Sequence, residues 1–113
     1  MNKITADFIL ETMAEKVRNK EAQFDAQFWL DSGQKLNLLL GEEQDLLFTL
    51  QQEVAKLKLM YFESQEKRNV SEAKMRVEAS EEYRKMRIQE AKCKRIEEFI
   101  RLAKKCVDVA SGF

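Results

Sequence analysis

From Leu46 to Phe62 the residues Leu47, Leu50, Val54, Leu57 and Tyr61 recur at alternating steps of three and four, the spacing of an apolar seam down one side of a helix. Leu46, Phe48, Leu59, Met60 and Phe62 flank that seam, so the apolar face is too wide for one neighbouring helix and predicts at least two. Past Tyr61 the same spacing reaches Ser64, Arg68 and Ser71, and the seam stops. Upstream, Ile9, Leu10, Met13, Val17, Phe24 and Phe28 follow helical spacing, interrupted by Lys20 and Glu21, and lead into the cluster Phe28-Trp29-Leu30. Downstream, Val77, Tyr83, Met86, Cys93, Ile96, Ile100, Ala103 and Val107 lie on a drifting stripe flanked by Phe99 and Cys106.

Punctuation divides this pattern into helices of about 5–31, 34–67 and 70–109 in one domain of 113 residues. Thr5 caps the first, with Asp7 in its first turn. Asp31-Ser32-Gly33 reads as a turn, and Asp31 with Gln34 has capping-box spacing for the second helix. Asn69 with Glu72 is a further cap, which folds the third helix back on the second as a hairpin. The rival is one uninterrupted helix of about seventy residues, because neither proline nor glycine forbids it. Gly41 within the second helix marks a bend or permits a close backbone approach. Ser111-Gly112 is a plausible C-cap.

Composition then sets the class. No proline, three glycines, 35 % charged and 44 % hydrophobic residues suit amphipathic helices and not a disordered tail. The expected fold is all-α: a long antiparallel, coiled-coil-like hairpin with a packed N-terminal helix. Its core is thin for its length, and self-association through Leu47, Leu50, Val54, Leu57 and Tyr61 would cover the remaining face. A homo-oligomer is therefore expected. Residues 1–53 carry 5 basic and 10 acidic side chains and residues 54–113 carry 15 and 10, a polarity that antiparallel pairing can use.

Chemistry narrows by subtraction. The absence of histidine removes the commonest general base and metal ligand, and the three glycines form neither a P-loop nor a dinucleotide fingerprint. Cys93 with Glu90 and Glu97 shares a helix face, but three ligands on one helix make a weak metal site, and a small apolar residue in a helix stripe is the better reading. The expectation is a protein that is not an enzyme, with no cofactor and no metal. Cys93 and Cys106 are too few for a disulfide framework, no secretory leader opens the sequence, and no run is long enough to span a membrane; a cytoplasmic location is expected, host cytoplasm if the protein is viral.

Beside the seam of Leu47 to Tyr61, two surfaces remain as candidates for partners. Phe28 and Trp29 are either core or an exposed anchor for another protein. Arg84, Arg87, Lys94, Arg101 and Lys105 share one face of the third helix and can track nucleic-acid phosphates or an acidic partner; Glu81, Glu90 and Glu97, each four residues before a cation, favour a solvated, salt-bridged face instead. Glu43 and Glu90 stand where an apolar residue is expected, so each faces water or, if buried, requires a partner and can set register.

Val77-Glu-Ala-Ser-Glu-Glu-Tyr-Arg through Glu97-Glu-Phe-Ile-Arg-Leu-Ala-Lys-Lys105 resembles the C-terminal helix of small coiled-coil accessory proteins of tailed bacteriophages. That resemblance implies an interaction module, such as an adaptor or inhibitor of a host protein, and assigns no functional residue. A DNA- or RNA-binding accessory protein and a scaffold or virion assembly component are the alternatives.

Overall fold

The computed structural model describes residues 5–19 and 25–110, excepting the side chain of Ala110. All regular structure in them is α-helical: α1 (Ala6–Arg18), α2 (Ala26–Glu63), α3 (Val70–Glu78) and α4 (Glu81–Ala110). The long helices α2 and α4 pack against each other, as the all-α hairpin reading requires. Phe24, with the interrupting Lys20 and Glu21, and the C-cap read at Ser111-Gly112 lie outside the described residues.

Two compact units divide the chain, one made of residues 1–42 and 93–113, the other of residues 43–92. In the first, Leu10, Met13, Trp29, Leu36 and Ile96 are fully buried, joined by Ile9 and Ala103. This is a three-helix core, because the apolar stripes of α1 and of the first part of α2 meet that of the last part of α4. Thr5 caps α1 as read, its hydroxyl oxygen accepting from the Phe8 backbone N–H at 3.2 Å.

The turn read at Asp31-Ser32-Gly33 is a correction: all three residues are inside α2. The physical reason is packing. Ser32 is buried, and a Cβ built on Gly33 would lie 3.2 Å from the Ala103 Cβ, so the small residues let α4 approach the α2 backbone. α2 starts instead after Asp25, whose carboxylate accepts from the Phe28 backbone N–H at 3.0 Å and pairs with Lys16 at 3.3 Å. The Phe28 N–H first, then Lys16, holds the Asp25 carboxyl below the ordinary carboxylate range. Helix 1 therefore ends well short of residue 31.

Gly41 neither stops α2 nor admits a neighbour, since an added Cβ would meet nothing within 4 Å. The mutation Gly41→Ala is expected to raise stability by about 0.5–1 kcal/mol through helix propensity alone, measurable as a higher urea midpoint at unchanged m-value.

In the second unit α2 ends at Glu63, earlier than the residue 67 expected, and Asn69 caps α3 through an acceptor bond from the Glu72 N–H at 3.2 Å. The chain therefore turns between these residues, and the single long rod is not formed. The expected third helix is two helices: α3 closes at Glu78, and Ser80 opens α4 by accepting from the Tyr83 N–H at 3.2 Å. Glu81 and Glu82 then occupy the first turn of α4, where the helix dipole favours acids.

Candidate functional site

Within residues 43–92, Leu47, Leu50, Val54, Leu57 and Tyr61 are half-buried, while each residue between them from Leu46 to Met60 is exposed. The seam therefore faces its own unit. On the elements opposite, Ala73, Val77, Tyr83 and Met86 are the corresponding inward positions. The seam expected to serve both as the subunit's core and as its interface is thus half-buried within its own unit, which agrees with the core role.

Glu43 extends the same seam by one turn. Its side chain is 19 % exposed and is held by Lys92 at 3.2 Å and by the Gln89 amide at 2.6 Å; the same amide donates to the Glu43 backbone carbonyl at 2.9 Å. Gln89 is itself buried. Of the two open readings, Glu43 follows the partnered one and joins α2 to α4. Glu90 is half-buried and pairs with Arg87 along the helix at 3.0 Å. Replacing Glu43 by alanine removes one acceptor from the buried Gln89 amide and the carboxylate partner of Lys92, while the backbone carbonyl still accepts from Gln89, with an expected loss of about 1–2 kcal/mol in urea unfolding. A loss below a few tenths would show the cluster to be a surface pair.

The aromatic pair is core. Trp29 is 0 % exposed and Phe28 meets it edge to face at 5.2 Å, while the Lys16 ammonium lies 4.9 Å from the Phe28 ring centre. Trp29 thus has no surface to offer a partner in this state. Of the basic positions on α4, Arg84 is 3.8 Å from Glu81 and Arg87 is in its pair with Glu90, both in the second unit. In the first unit Lys94, Arg101 and Lys105 are exposed. Glu81 and Glu90 therefore engage part of the stripe, each through a cation three residues away where the spacing had pointed to one four residues on. Cys93 is buried in its apolar stripe, and burial raises the pKa of the Cys106 thiol. Among the described residues no three Cys, Asp or Glu side chains form a group able to hold a metal. No described helix is long and apolar enough to cross a membrane.

What the second unit does present is an apolar groove of about 240 Å³. Ala55, Leu59 and Phe62 of α2 and Val70 and Ala73 of α3 line it, with Lys58 at its edge. The groove forms because α3 folds back beside the end of α2, so that side chains flanking the half-buried seam meet the first turn of α3. Arg68 lies over the outer aromatic ring, its guanidinium carbon 5.9 Å from the Phe62 ring centre. Leu59 is 56 % and Val70 59 % exposed, large values for branched apolar side chains sharing one depression.

Sequence reading missed this surface as a separate feature. Phe48, Gln52, Ala55, Leu59 and Phe62 follow steps of four, three, four and three, a second seam on α2. Gln52 and Ala55 disguise it when only large apolar residues are counted.

Compared with protein-family models, with curated proteins and with solved structures, this chain matches none.

Proposed function

We propose that this chain is a non-enzymatic helical interaction module that binds another protein through the second unit. The observation supporting this reading is the open groove of Leu59, Phe62 and Val70, which places large apolar side chains in water beside a unit with little core. Within residues 43–92 only Ala73, Val77 and Gln89 are buried. An exposed apolar depression bordered by cations suits an amphipathic helix laid along it. The resemblance of residues 77–105 to phage coiled-coil accessory proteins fits the same reading and suggests an adaptor or inhibitor acting on a host protein.

The test is affinity capture from lysate of the cell that expresses the protein, run in parallel with wild-type chain and Val70→Asp. A protein recovered by the first and lost by the second supports the reading. Equal recovery by both moves the binding surface elsewhere, and recovery of none by wild type counts against a module of this kind.

A further inference from the structure

Within the second unit the two neighbours of α2 are held differently. α4 is tied to it by polar bonds, since the Gln89 amide and the Lys92 ammonium both reach Glu43. α3 has no such tie. Among the described residues its hydrogen bonds and ion pair all run within residues 69–80: the Asn69 cap, Arg76 with Glu72, and the Ser80 hydroxyl and backbone N–H donating to the Val77 carbonyl. Only Ala73 and Val77 of α3 are buried, while Val70 and Met75 stand 59 % and 70 % exposed. At nine residues α3 is shorter than the roughly 12–15 that make an isolated helix even marginal in water, so it owes its helix to docking. Ser80 caps α4 instead of continuing α3, which interrupts the helical ladder between them and leaves α3 free to part from α4.

Yet α3 is what the far end of α2 packs on. With Gln89 level with Glu43, the first residue of α4, Glu81, comes level with about residue 51 of α2. The half-buried Val54, Leu57 and Tyr61 lie beyond that point, as does the groove in which Val70 and Ala73 meet Ala55, Leu59 and Phe62. We propose that α3 is a strap that docks on α2 and releases as a piece while α2 and α4 stay paired, so that the groove exists only in the docked state. This rests on the reading of the groove as the binding surface and adds its regulation. A partner that fits the groove binds the docked form alone, and by linkage holds α3 down.

Residue-resolved hydrogen exchange on the full chain tests the strap, with circular dichroism to follow helicity. Amides of residues 73–79 should exchange at least about tenfold faster than those of residues 96–103, because their opening exposes little buried surface, while residues 85–92 stay protected. Two variants act on α3 without altering the groove, since neither residue lines it. Asn69→Ala, which removes the cap, should speed α3 exchange about fivefold. Val77→Asp, which sets an unpaired carboxylate at a buried anchor, should abolish α3 protection and leave residues 85–92 protected. Should Val77→Asp unfold the whole second unit, Asn69→Ala decides. Wild-type α3 as protected as residues 96–103 overturns the proposal. So does a loss of protection by residues 70–78 and 81–92 together, which would make the second unit open as a whole. In the capture experiment, a Val77→Asp chain whose α3 alone is released should recover no partner; undiminished recovery overturns the gating of the groove and leaves the interaction module in place. Recovery of none by wild type counts against the module, and exchange still decides the strap.

Discussion

Trp29→Ala is expected to remove about 3–5 kcal/mol of unfolding free energy, the range for truncating a large aromatic in a packed core. Trp29 has no exposed surface and belongs to the cluster in which α1 contributes Ile9, Leu10 and Met13, α2 Leu36, and α4 Ile96 and Ala103. Its loss therefore opens a cavity where three helices meet, and no single helix can shift to fill it. Against a total of about 5–15 kcal/mol for an ordinary domain, this is a large fraction of the stability. The chain has one tryptophan, so unfolding is followed by far-ultraviolet circular dichroism in urea rather than by fluorescence. The control is Leu38→Ala, at a side chain 79 % exposed, with an expected change within about 0.5 kcal/mol. A Trp29→Ala loss as small as the control's would mean that the indole does not bridge the helices and is available to a partner.

The periodic signal carried the class of the fold and most inward-facing positions. Leu47, Leu50, Val54, Leu57 and Tyr61 on α2, and Val77, Cys93, Ile96 and Ala103 downstream, are where their spacing put them because an amphipathic helix has one way to hide such a stripe. The caps at Thr5 and Asn69 were equally legible, since a side-chain acceptor at that position answers a backbone donor the helix leaves free. Small residues were where reading failed. Ser32 and Gly33 have turn chemistry and helix-packing chemistry alike, and only the presence of Ala103 opposite decides between them. Ser80 was passed over although the stripe jumps six positions from Val77 to Tyr83: the positions three and four after Val77 are Ser80 and Glu81, and that polar gap is where the cap lies. The candidate surface was half legible. Its large residues were noted as flanks of the main seam, but their meeting with Val70 depends on where α3 starts beside the end of α2.

Gly33 puts the distinction between turn and packing glycine to an experimental test. Gly33→Leu is expected to destabilise by about 1–3 kcal/mol, the usual range for overpacking, because even the first added carbon would lie 3.2 Å from the Ala103 Cβ. Relief requires α4 to move away from α2, which separates the apolar side chains on both sides of the contact. Gly33→Ala is the balanced case: helix propensity favours it by about 1 kcal/mol, and the displacement of a few tenths of an ångström opposes it. The sign then depends on Ala103. In a Gly33→Ala background, Ala103→Gly should cost less than it does in wild type, since removing the opposing Cβ relieves the contact while the helix still loses an alanine. Additive effects would mean that the two backbones have room to spare, and a Gly33→Leu variant as stable as wild type would mean that they do not approach here at all. Gly41→Ala supplies the reference, because that glycine sits in the same helix with nothing opposite it.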